Sequence, residues 1–153
     1  MNRIASLLPS SNIVLDLDVS TKARLFDAIG ALFAKSDALA PALVVESLTA
    51  RERMGSTGVG QGIAIPHGRI KGLREAHGAF VRLKSPIPFD APDGKPVSQV
   101  FVLLVPEQAT ELHLQLLSEI AAMFFERAFR ERLASAATPD ELETLFRAWE
   151  PAV

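Results

Sequence analysis

Six consecutive apolar residues, Val100-Phe101-Val102-Leu103-Leu104-Val105, constrain this chain more than any other segment. An extended strand points successive side chains to opposite faces, so a strand apolar at every position must be covered on both sides. Such a strand lies at the centre of a sheet sandwiched by helices. Ala79 to Leu83 reads as a second strand, and Ile13 to Leu17 alternates as a third. The Pro86–Pro96 stretch between the two best strands is rich in turn formers and has room for one short edge strand.

Helical spacing frames this strand-rich middle. After an apolar lead of Ile4, Leu7 and Leu8, Ser20-Thr21 caps a helix whose stripe is Leu25, Ile29, Leu32 and Phe33. A second helix starts near Pro41 and aligns Val44, Leu48 and Arg51, so a cation ends an otherwise apolar stripe. Thr110 is placed to cap a long helix with His113 in its first turn and Leu116, Leu117, Ile120 and Phe124 inward. A short helix around Phe129 and Leu133 follows, and Thr138-Pro139-Asp140-Glu141 opens the last as a capping box, anchored by Leu142, Leu145, Phe146 and Trp149. Helices before and after the strands predict an α/β sandwich whose sheet is flanked by helices on both faces. With 153 residues and no repeat or linker, one domain spanning 1–153 is expected.

Composition removes whole classes of function. The net charge of −2, without basic runs, gives no footprint for nucleic acid or a polybasic membrane anchor. Without cysteine there are no disulfides, thiolate metal sites or thiol chemistry. The three histidines are far apart and lack carboxylates at ligand spacing, so no metal site is expected. No apolar run approaches the roughly 20 residues of a membrane helix, and no leader is readable, so the expectation is a cytoplasmic protein whose partner is another protein.

The chemistry concentrates between residues 51 and 69. Glycines 55, 58, 60 and 62 precede Ile63-Ala64-Ile65, a short strand closed by Pro66, and His67 follows at the strand end before Gly68 and Arg69. A P-loop is excluded because Gly60 is followed by Gln61 and Gly62 rather than by Lys and Ser or Thr. A dinucleotide fingerprint fails because a helix precedes the glycines and Pro66 blocks helix after them. What remains is the inventory of a phosphorylatable histidine. His67 is the nucleophile, available unprotonated near neutral pH, and Arg51 is the bidentate anion partner. Ser56 and Thr57 are hydroxyl donors or turn formers, and the backbone of Gly58, Gly60 and Gly62 is an anion cradle. His113, at a helix N-terminus where the dipole disfavours imidazolium, is the second imidazole or a satisfied core histidine. Arg51 alternatively caps its own helix, and Arg69 is a docking residue for an acidic partner or solvated charge. His77 is read as surface, and the Phe124-Phe125 pair as core.

The run from Gly55 through Pro66-His67-Gly68 to Arg69 resembles the active-site signature of the fructose/mannitol-type enzyme IIA domains of the bacterial phosphotransferase system. Ile4 to Leu8, Pro88 to Val97, and Leu104 to Glu107 ahead of His113 are similar to the nitrogen-related branch, and the resemblance covers nearly the whole chain. It implies a mixed β-sheet flanked by helices on both faces, no cofactor, and no metal in the transfer step. It also implies that His67 accepts a phosphoryl group from an HPr-like phosphocarrier, with His113 the facing second histidine and Arg51 the upstream arginine. Lacking a IIB cysteine and a membrane span, the chain is expected to be a stand-alone regulatory member whose phosphorylation state selects its protein targets. Two alternatives stay open: a sugar-specific IIA that passes phosphate to a separate IIB protein, and an interaction module of the same fold without phosphorylation.

Overall fold

A computed structural model of the chain describes residues 2–108 and 110–151, except for the side chain of Thr110. Two 3₁₀ turns, Ala5–Leu7 and Ser10–Asn12, lead into strand β1 (Ile13–Leu17). Helices α1 (Lys22–Asp37) and α2 (Pro41–Arg53) follow, then four strands in quick succession: β2 (Gly58–Gly60), β3 (Ile63–Ala64), β4 (His67–Ile70) and β5 (His77–Ile87). Strand β6 (Val97–Pro106) precedes helices α3 (Thr110–Phe125), α4 (Arg127–Ser135) and α5 (Pro139–Ala148).

Strand β6 is the central strand that its composition demands. It pairs antiparallel with β5 on one side and parallel with β3 and then β4 on the other, while β1 joins β5 in parallel and β2 joins β3 in antiparallel fashion. The sheet is therefore mixed, in the order β1-β5-β6-β3-β2 with β4 beside β6. Val100, Val102 and Leu104 face α1 and α2, whereas Phe101, Leu103 and Val105 face α3, α4 and α5. Both faces are thus covered. The second core is knit by Phe80, Phe101, Phe124, Phe129 and Phe146, whose rings meet mostly edge to face at centroid separations such as 5.3 Å for Phe80 and Phe146. Each such pair contributes about 0.5–1.5 kcal/mol beyond the area it buries.

Strands β3 and β4 are one strand interrupted by a proline. The register against β6 runs from Ile63 opposite Gln99 to His67 opposite Leu103 without a slip. Pro66 has no N–H to donate, so pairing lapses there, but its carbonyl accepts from the Leu103 N–H at 3.0 Å. His67 consequently starts a strand anchored to the most buried element of the fold.

Local chemistry explains the helix ends. Thr21 accepts from the Arg24 N–H at 3.1 Å, and Thr138 from the Glu141 N–H at 3.1 Å. Glu141 reaches back to the Ala137 N–H at 3.1 Å. The capping role expected of Thr110 falls on a side chain outside those described.

Four readings are corrected. Gly58 to Gly60 is not loop but a three-residue strand at the sheet edge. The Pro86–Pro96 stretch holds no separate edge strand; β5 continues through Pro86 to Ile87 across a register irregularity, and Ile87 pairs with Val97 at the start of β6. Phe125 is 85 % exposed, because the helix that buries Phe124 turns the next residue outward. His77 is half-buried with Nδ1 3.2 Å from Asp37 Oδ1, a carboxylate that also receives Asn12 Nδ2 at 3.1 Å.

Candidate active site

Helix α2 packs across β4, and their meeting line opens into a cleft of about 640 Å³ that holds Arg51, His67, Arg69 and His113. Arg51 comes from the last turn of α2, His67 from the first position of β4, and His113 from the first turn of α3. The imidazoles of His67 and His113 meet edge to face with centroids 5.1 Å apart. Leu43, Met54 and Glu107 are among the other residues that line it, and Met54 is 83 % exposed.

Two contacts fix the tautomer of His67. Its Nδ1 lies 2.9 Å from the Ile65 carbonyl oxygen, which can only accept, so Nδ1 carries the proton. Its Nε2 lies 3.2 Å from Nε of Arg51, which can only donate, so Nε2 carries the lone pair. The two partners demand the same neutral ring. Burial lowers the pKa of His67 and the Arg51 guanidinium lowers it further, against the opposing pull of the Ile65 carbonyl. His113 is pushed down to about 4, first by burial and then by the positive charges of His67, Arg69 and Arg51. Both rings are neutral near pH 7. Nδ1 of His113 is buried with no hydrogen-bond partner among the described residues.

The Arg51 guanidinium is held at a second point, where Nη1 donates to the Gly55 carbonyl at 2.9 Å. Gly55 has φ +149°, a conformation that side chains rarely adopt, and it directs that carbonyl back toward the helix end. The loop is fastened by Glu52, whose nearly buried carboxylate accepts from the N–H and hydroxyl of Thr57 and from Lys22 Nζ at 2.8 Å. Lys22 also stands over the Phe89 ring at 4.5 Å.

The hydroxyls expected to touch a phosphoryl group, and the Gly58 N–H, are engaged elsewhere. Thr57 gives its hydroxyl to Glu52, and Ser56 gives its own to the Phe89 carbonyl while accepting from the Gly58 N–H at 3.0 Å. The β2–β3 hairpin carries Gly58, Gly60 and Gly62 away from the cleft. Gln61 donates its N–H to Asp93 at 2.9 Å, and the Gly62 carbonyl accepts from Ser98 and Gln99. None of Ser56, Thr57, Gly58, Gly60 or Gly62 lines the cleft that holds His67. The glycine-rich segment instead builds a hairpin and aims one carbonyl at Arg51. Arg69 does reach the cleft, with an exposed side chain. Sequence reasoning missed Glu52, Ser47 and Gly68; Glu52 had a readable signal, a carboxylate beside Arg51 and five residues before a threonine.

Comparison with known proteins identifies the family and the fold. A nitrogen regulatory protein of Pseudomonas aeruginosa is 43 % identical over 143 residues, covering 93 % of each chain. One from Escherichia coli is 44 % identical over 123 residues, or 80 % of this chain and 76 % of that protein. The crystal structure of nitrogen regulatory protein IIA-Ntr from Neisseria meningitidis superposes with a TM-score of 0.89 at 49 % identity, over 94 % of this chain and 99 % of that one. The E. coli mannitol IIA crystal structure, at 22 % identity and a TM-score of 0.76 over 90 % of this chain and 96 % of that one, shares the fold. Residues 6–148 match the family profile described as phosphoenolpyruvate-dependent sugar phosphotransferase system, EIIA 2, and the chain therefore belongs to that enzyme IIA family.

Proposed function

We propose that the chain is a phosphocarrier that accepts a phosphoryl group on Nε2 of His67 from an HPr-like phosphohistidine protein and regulates target proteins through its phosphorylation state. One observation carries the proposal: two independent hydrogen bonds place the proton of His67 on Nδ1 and leave the Nε2 lone pair in an open cleft beside a guanidinium. Nε2 attacks phosphorus as the P–N bond to the carrier's imidazole breaks, and that bonding pair returns to the carrier's ring. The positive charge that develops on His67 is stabilised by the Ile65 carbonyl opposite Nδ1–H. Arg51 releases Nε2 during attack and turns its N–H groups to the phosphoryl oxygens, still tied to Gly55 through Nη1. His113 stays neutral and offers an N–H donor. Phosphoryl transfer needs positioning and charge stabilisation above all, and this set supplies both.

The relatives' names support a nitrogen-related regulatory output, and the family profile supports a place in a phosphotransferase system. Incubation with phosphoenolpyruvate, enzyme I and the HPr-like carrier tests the proposal by intact mass and acid lability. Wild type gains one acid-labile phosphoryl group, His113→Ala gains it more slowly, and His67→Ala gains none. A folded wild type that no such carrier phosphorylates overturns it.

A further inference from the structure

We infer that Ser47 and Gly68 are positioning residues for the phosphoryl acceptor: the Ser47 hydroxyl fills the notch left by the missing Cβ of Gly68, and this contact sets the spacing between Arg51 and His67. The inference rests on the acceptor role of His67 proposed above. Ser47 stands four residues before Arg51, one turn earlier on the same face of α2. Gly68 directly follows His67 on β4. The Ser47 hydroxyl donates to the Arg69 carbonyl at 3.0 Å, so helix and strand are tied together one residue beyond the notch.

Space, not backbone conformation, requires the glycine. Gly68 is absent from the positive-φ positions of the chain, so another residue could adopt its backbone. A Cβ there would clash with Ser47 Oγ and lie 3.2 Å from Ser47 Cβ, and contacts under 3.0 Å do not persist. A glycine inside a strand weakens pairing and marks a close approach of another element. Here the element is the helix that carries Arg51. An alanine at 68 must turn the Ser47 hydroxyl away, which breaks its bond to the Arg69 carbonyl, and then still meets Ser47 Cβ at 3.2 Å, so α2 gives way on β4 and the 3.2 Å contact between Arg51 Nε and His67 Nε2 loosens.

Two readouts on the full chain test this: the imidazole titration of His67 by NMR in the unphosphorylated protein, and the initial rate of phosphoryl acceptance from the HPr-like carrier. Moving Arg51 away removes one of the influences that lower the His67 pKa, so Gly68→Ala is expected to titrate at higher pH than wild type. Its acceptance rate is expected to fall by on the order of 10²-fold, the cost of about 1 Å of misplacement. In the double variant Gly68→Ala/Ser47→Gly the two atoms nearest the new Cβ are gone and the residue 47 backbone carbon, at 3.4 Å, stays in ordinary contact, so both readouts move part of the way back toward wild type, the tie to Arg69 being still absent. A folded Gly68→Ala with wild-type titration and rate overturns the inference, as does a double variant that recovers neither. Should Gly68→Ala fail to fold, Ser47→Ala decides, because it removes the tie to Arg69 without a clash: a raised His67 titration supports the inference and an unchanged one overturns it. Failure of wild type to be phosphorylated counts against the acceptor role alone, and the titrations still decide the positioning.

Discussion

Nε of Arg51 stands 3.2 Å from Nε2 of His67 and points its N–H at the lone pair of that ring. A permanent cation on a lone pair opposes its protonation, so the arginine keeps the imidazole unprotonated before any partner arrives. On the proposed function the same guanidinium also holds the phosphoryl group attached to Nε2. Guard and clamp are one side chain.

Removing that side chain therefore has two measurable consequences. Arg51→Ala is expected to raise the pH at which His67 titrates and to slow phosphoryl acceptance by about 10²–10³-fold, the usual cost of deleting a charge-stabilising donor. Arg51→Lys recovers only part of the rate, because a point charge replaces a planar fork. Initial rates with radiolabelled phosphoenolpyruvate, and histidine NMR titrations, check both.

Stability has a pH signature set by the histidines. His113 titrates at about 4 in the fold against an ordinary value of 6.5, so between these values the unfolded chain binds the extra proton. Stability is fully present above pH 6.5 and is lost as the pH falls toward 4. Urea unfolding across this range should show the decline in wild type and a shallower one in His113→Gln, with His67 contributing in the same direction.

Thr57 separates a structural hydroxyl from a phosphate ligand. Thr57→Val removes the hydroxyl bond to Glu52 and is expected to cost about 1–3 kcal/mol in urea unfolding. Its acceptance rate, measured where the variant is folded, should change far less than that of Arg51→Ala. A loss as large as that of Arg51→Ala would return Thr57 to the phosphate site.

Much of this architecture is legible in the letters. Val100 to Val105 can only be a strand covered on both faces, and the helix stripes on either side provide the covers. Arg51, His67 and His113 were identifiable from residue types and signature, and they do converge on one cleft. The partners of the Ser56 and Thr57 hydroxyls, the Phe89 carbonyl and Glu52, and the hairpin that follows them are not legible from nearness in sequence. His77 was misread because its partner Asp37 lies on a different element, which no local pattern reveals. Phe125 failed for a simpler reason, since one step along a helix turns a side chain by about 100°. Gly68 reads in sequence as part of the Pro66-His67-Gly68 signature, and the spatial reason inferred for it, its closeness to Ser47, shows in no local pattern.

The ring position of the phosphoryl group tests the central claim most directly. Protein carrying ¹⁵N-labelled histidine is phosphorylated through the carrier, and phosphorus–nitrogen coupling identifies the bonded atom. Coupling to Nε2 of His67, with Nδ1 still protonated against the Ile65 carbonyl, is the predicted result. Coupling to Nδ1 of His67, or to a nitrogen of His113, would contradict the account.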